Sequence, residues 1–171
     1  MPFNPTGSVI STDLDNMLRG LYRDNSDRVI TGVITEQPMA GFNISPNVIG
    51  PTGALYVVAA GTSSGAGGTK TVALWFGSVQ LAALVVPSGL QSWLIKAWIY
   101  NTALNAQRVL VECASIPGAP GTLAAPVLTY AYFATAVDTS QNQTLGTRTT
   151  NANAGDTCTN TIFDVFVVQI N

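Results

Sequence analysis

From Arg28 onward the chain is a succession of short segments rich in Val, Ile, Thr, Tyr, Phe and Trp, most of them cut off by a glycine- or proline-bearing break. β-branched and aromatic residues fit a pleated, half-buried surface, so the segments read as strands. The candidates are 28–36, 40–45, 54–61, 70–77, 79–86, 91–100, 107–114, 127–137, 143–149 and 161–170. Gly-Pro-Thr-Gly (50–53), Thr-Ser-Ser-Gly-Ala-Gly-Gly (62–68), Pro-Ser-Gly (87–89) and Ile-Pro-Gly-Ala-Pro-Gly (116–121) mark breaks between them. Strands this short and this numerous predict an all-β protein, a jelly-roll-like antiparallel β-sandwich. No helical stripe separates the strands, which argues against a βαβ fold.

The segment before Arg28 differs. Residues 1–11 hold two prolines and a glycine and read as an extended arm. A short amphipathic helix is expected next, capped by Ser11 or Thr12, with Asp13 and Asp15 in its first turn and Arg19 and Arg23 towards its end. That charge order suits the helix dipole. Leu14, Met17, Leu18, Leu21 and Tyr22 form the apolar stripe, with Gly20 off it. The expected division is therefore an arm and helix over 1–27 and a sandwich domain over 28–171.

Several strands are apolar on both faces. In 91–100, Trp93, Ile95, Ala97 and Ile99 point one way, and Leu94, Trp98 and Tyr100 the other. In 161–170, Ile162, Phe166, Val168 and Ile170 oppose Phe163, Val165 and Val167. A sandwich strand in a free monomer keeps one face wet. Either loops and the N-terminal helix cover the second face, or another subunit does. Composition favours the subunit, because charged residues make up only 9% of the chain, against about 25% in an ordinary soluble domain. A surface so poor in charge resists aggregation badly when left bare. Leu94, Trp98 and Tyr100 are the candidate strand interface. Leu14, Met17, Leu18, Leu21 and Tyr22 are the candidate contact with a partner protein or a second subunit, unless the helix packs on its own sheet.

Charge and residue inventory narrow the chemistry. The net charge is −2, and the five Arg and two Lys are scattered, so no basic footprint for nucleic acid exists. The longest apolar runs, Ala54–Ala60 and Leu81–Val86, have strand length rather than membrane-spanning length. The opening MPFNPTGSV has neither the basic nor the apolar region of an export signal. Cys113 and Cys158 are then expected to be free thiols rather than a bridge. The chain has no histidine, which removes the commonest general base and most zinc sites. Asp24 and Asp27 read as a turn rather than a calcium loop. The stretch 61–71 lacks the Gly-Lys pair of a phosphate loop and reads as a flexible hairpin loop. Asp164, alone in an apolar strand, reads as a bonded edge or interface residue. The aromatics Trp75, Phe76, Trp93, Trp98, Tyr100, Tyr130, Tyr132 and Phe133 fall inside strands, where packing is their expected role. The expectation is a non-enzyme without cofactor, metal or small-molecule substrate, and without a nucleic-acid or membrane partner.

The runs DLDNMLRGLYRDNSDRVITG, IGPTGALYVVAAGT, TKTVALWFG, AWIYNT and NAQRV resemble the jelly-roll structural proteins of tailed bacteriophages. Those occur as capsid decoration, or cement, proteins and as tail-fibre modules, commonly as trimers. The resemblance implies a virion protein assembled in the host cytoplasm. It implies a homotrimer on the outside of the capsid, with the major capsid protein as partner. The alternative is a tail-fibre or receptor-binding module. The absence of a shaft or repeat region favours decoration.

Overall fold

A computed structural model describes residues 19–65, 67–118 and 125–168, and all the regular structure in them is β. The strands are β1 (Arg19–Asp24), β2 (Arg28–Thr31), β3 (Gln37–Ile44), β4 (Ala54–Ser64), β5 (Lys70–Phe76), β6 (Val79–Val86), β7 (Gln91–Ala103), β8 (Ala106–Pro117), β9 (Val127–Thr135), β10 (Gln143–Thr150) and β11 (Thr157–Val168). They form an antiparallel sandwich of two unequal sheets. The large sheet has seven strands in the order β1-β11-β4-β7-β8-β9, with β2 following β1 along β11. The small sheet has four, in the order β3-β10-β5-β6.

The core lies between the sheets and is built by alternation. Trp93, Ile95, Ala97 and Ile99 of β7 are all buried, facing Val72, Leu74 and Phe76 of β5 and Leu145 of β10. Phe163 and Val165 of β11 and Leu55 and Val57 of β4 complete it. The two-sided reading of 91–100 and 161–170 therefore holds wherever those residues are described. One irregularity organises the middle. A bulge between Asn160 and Ile162 shifts the β11–β4 register, and the Asn160 amide donates to the Ile162 carbonyl at 3.1 Å while its oxygen accepts from Thr147. Opposite the bulge sits Gly61, where a Cβ would meet the Thr159 carbonyl oxygen and the Trp93 ring.

Polar clusters close both ends of the sandwich. At one end Gln107 brackets Val137, donating to its carbonyl at 2.9 Å and accepting from its amide at 2.7 Å. Asn101 reaches the Gly50 carbonyl and Thr139. At the other end, Lys70 and Asp156 form an ion pair wholly out of solvent.

The expected N-terminal helix is a correction. Its described part, Arg19–Asp24, is a strand paired with β11. The consecutive apolar residues that imitated a helical stripe have another cause. A register shift between Gly20 and Tyr22 sets Leu21 in a bulge, which lets neighbouring side chains turn to one side. Leu21 and Tyr22 both pack against the core, Tyr22 stacking on Phe42 with ring centroids 4.9 Å apart. Leu14, Met17 and Leu18 lie outside the described residues. The stretch 61–71 also differs from expectation. It carries the chain from the large sheet to the small one, between β4 and β5, and is no hairpin.

Candidate functional site: the outer face of the large sheet

The strand register lines up one row of side chains across the solvent side of the large sheet. Phe166 of β11 lies opposite Tyr56 of β4, Tyr56 opposite Trp98 of β7, Trp98 opposite Leu110 of β8, and Leu110 opposite Tyr132 of β9. Directly opposed residues on one face are close enough to touch, and the aromatic ones do. The Tyr56 and Trp98 rings stack with centroids 4.2 Å apart, Tyr56 and Phe166 at 6.1 Å, and Trp98 and Tyr100 at 6.2 Å. Towards β9 cover disappears: Tyr130 is 62% and Tyr132 68% exposed, and Leu110 and Leu128 are exposed beside them.

Two charge pairs form within this face, and the exposed Arg108 of β8, opposite Tyr100, adds a further cation. Arg23 of β1 lies 3.4 Å from Asp164 of β11, and Lys96 of β7 lies 3.5 Å from Glu112 of β8. Asp164, expected to be a bonded edge or interface residue, lies beside a cation one strand in from the edge, with no hydrogen bond to its Oδ1 among the described residues. Such exposed pairs contribute little stability. Their charges cancel within each pair, so Arg108 is left as the net charge that the described part of this face carries. The small sheet contrasts with it. Its outer face carries Asn43, Thr144 and Arg148, with the Arg148 guanidinium 4.4 Å over the Trp75 ring and bonded to Glu36 at 2.9 Å. That is the wet face an antiparallel sheet normally shows.

Of the residues predicted for a strand interface, Leu94 and Trp98 lie half-buried on the large sheet's outer face and Tyr100 lies exposed beside them. Trp98 and Tyr100 are in the aromatic row and stack. Leu94 sits four residues from Trp98, between Ala60 and Ala114. Sequence reasoning missed Tyr56 and Leu110 and placed Tyr130 and Tyr132 without a face. The signal was present in β9, where Leu128, Tyr130 and Tyr132 recur at every second position. Leu21 and Tyr22, predicted as partner contacts, pack instead against their own core.

Elsewhere the ionisable groups serve the fold. Asp24 accepts from the Ser26 amide and from Arg28, which hold its carboxyl below the usual range against the opposing effect of burial. It thereby closes the turn between β1 and β2 that the Asp-Asn-Ser-Asp sequence predicted. Both cysteines are free and buried. Burial, with Glu112 adding to it, pushes the Cys113 thiol up to about 11. No group of three His, Cys, Asp or Glu side chains suited to a metal occurs among the described residues.

No protein-family model matches the chain, and no curated protein does. Among solved structures, the CBM2 module of the evolved Dit of Lactobacillus casei BL23 phage J-1 aligns over 91% of this chain and 98% of its own. The identity is 9% and the TM-score 0.39. A structure of infectious bursal disease virus, Gx strain, aligns over 90% of this chain and 42% of its own, at 11% identity and TM-score 0.30. Both scores fall below the level at which a common fold is established.

Proposed function

We propose that this chain is a non-catalytic virion structural protein, a capsid decoration protein. It binds the outside of a phage shell as a homotrimer and stabilises it. The observation that carries the reading is the uncharged row Phe166–Tyr56–Trp98–Leu110–Tyr132, in register across five adjacent strands and open to solvent. The exposed parts of Tyr130 and Tyr132 alone amount to about 200–300 Å², a substantial share of the ~800 Å² that each partner gives to a stable interface. With Leu110 and Leu128 beside them, the patch approaches the size of the largest on a typical monomer, which is often a functional surface. Contact with neighbouring copies and with the major capsid protein covers it. Several copies held together gain from effective concentration when they engage a repeating shell.

The jelly-roll reading is supported by the path of the chain. β1 and β2 together, β11, β4 and β7 face β3, β10, β5 and β6. The chain changes sheet at every connection from β2 to β11 except at the β5–β6 hairpin and the consecutive β7, β8 and β9. Removing β8 and β9 leaves an eight-stranded double-sheet roll, an architecture common in viral shells. β8 and β9 are then an addition, and they carry the most exposed part of the apolar face.

A tail-fibre or receptor-binding module is the second reading, favoured by the two exposed tyrosines on one strand, a stacking platform for a saccharide. Protein stoichiometry in purified particles separates the two, since decoration requires copy numbers comparable with the major capsid protein. The assembly itself is tested by sedimentation of the purified chain and of the Leu110→Glu/Tyr132→Glu variant. The parent is expected at three chains and the variant, with unchanged circular dichroism, at one. A parent that stays monomeric at high concentration and does not bind shells sinks the proposal.

A further inference from the structure

The large sheet runs past the small one. β6 ends the small sheet, bonded to β5 alone among the described strands, and packs over β7 and β8. β9 ends the large sheet, bonded among the described strands to β8 alone. Between the β6 edge and the inner face of β9 lies a groove of about 450 Å³, with Leu81, Leu84, Val85, Val111, Val127 and Ala131 in its walls. Both flanking strands, VQLAALVV and VLTYAYFAT, lack charge and proline. β9 also pairs with β8 without a single register shift. Charge, proline and bulges are the devices that blunt a free edge, and neither strand has the first two. A strand laid beside β6, one spacing of about 4.8 Å further on, falls over β8 and β9 and closes the groove.

We propose that this position is taken by residues 6–11 (Thr-Gly-Ser-Val-Ile-Ser) of a neighbouring copy, which add to β6 as a fifth strand of the small sheet. This rests on the reading that the chain assembles with itself, and it names the segment that joins the copies. Three observations point to that occupant. The first charged residue of the chain is Asp13, so residues 1–12 match an uncharged groove. Val9 supplies a β-branched side chain for its apolar walls, and Ile10, on the opposite face of the strand, adds β-branched character to it. Eighteen residues precede Arg19 and span up to about 60 Å when extended. They join the chain at β1, the opposite edge of the large sheet from β9. An arm leaving one edge and a groove at the other make a head-to-tail contact, which closes into a ring when the rotation allows.

The test uses the full chain carrying Val9→Cys and Thr129→Cys in a Cys113→Ala background, since Cys113 lies directly opposite Thr129, with each single cysteine addition as control. Thr129 lines the groove on β9. After mild oxidation the double variant is expected to run as covalently linked chains on a non-reducing gel, well above either control. A disulfide closed within one chain, or no disulfide, overturns the proposal. Deleting residues 1–12, which leaves β1 intact, is expected to raise the concentration at half-assembly by about tenfold or more. If the intact chain assembles and the deletion assembles equally well, the arm is not the connector and self-assembly stands. If the intact chain never assembles, both fail together.

Discussion

Lys70 Nζ lies 3.3 Å from Asp156 Oδ1, and both side chains are wholly out of solvent. The ammonium also donates to the Gly65 and Gly68 carbonyls at 3.0 and 3.3 Å. The carboxylate accepts from the Asn153 amide at 3.0 Å and the Gly67 amide at 3.3 Å. One ion pair therefore fastens the glycine-rich crossing from β4 to β5 onto the β10–β11 loop. A buried pair adds little net stability, but removing one partner leaves an uncompensated charge. Lys70→Met is expected to cost about 3–5 kcal/mol, read as a lowered urea midpoint. Lys70→Met combined with Asp156→Leu is expected to recover part of that loss. A double variant no better than the single would show that the loops need the charges themselves.

The same carboxylate predicts how stability depends on pH. Burial pushes the Asp156 carboxyl up, but Lys70 and the Asn153 and Gly67 amides outweigh it and hold it below the usual carboxylate range. Asp24 is depressed as well. A depressed acid contributes stability that is present above its unfolded pKa, about 3.9. That stability is lost as pH falls through the folded value. With no histidine in the chain, no side chain of ordinary pKa titrates between about pH 5 and 8. Tm is therefore expected to be flat across that interval and to fall below about pH 4. Asp156→Asn should melt lower than the parent at neutral pH, and the gap should narrow in acid, where the parent's own carboxyl becomes neutral. A gap that stays constant down to pH 2 would remove Asp156 from the acid response.

At Gly61 the backbone passes so close to the Thr159 carbonyl and the Trp93 indole that no Cβ fits. The Trp93 ring is itself fixed, 1% exposed and donating through Nε1 to the Thr62 carbonyl at 3.2 Å. Gly61→Ala is expected to cost about 1–3 kcal/mol by overpacking, measured by urea unfolding. Gly155, where a Cβ meets nothing within 4 Å, serves as the control, and Gly155→Ala is expected to be nearly neutral. Equal effects at the two sites would contradict the packing account.

Ten of the eleven strands were legible from local pattern, because period-two alternation and Gly/Pro breaks are local properties. β7 shows this most clearly: the inward set Trp93, Ile95, Ala97 and Ile99 is read directly from spacing. β1 was not legible. Its bulge at Leu21 places two adjacent apolar residues against the core, and Asp13 through Arg23 carry the charge order of a helix, so pairing with β11 overrode local preference. Strand order escaped for a different reason. Which segment becomes the neighbour of β4 is decided by long-range register, and with it the alignment of Tyr56, Trp98, Leu110 and Tyr132. The Lys70–Asp156 pair was hidden likewise, since nothing near Lys70 in sequence announces a distant carboxylate.

β9 joins nine uncharged residues to a hydrogen-bonding margin that no described strand covers, and most of it is exposed on both faces. Such a ribbon recruits any extended polypeptide that drifts past, native or not. Under the proposed function a solitary copy has a short useful life, and synthesis that outruns the supply of docking sites should end in fibrous precipitate rather than a reserve of ready subunits. Timing of production becomes part of the molecule's chemistry.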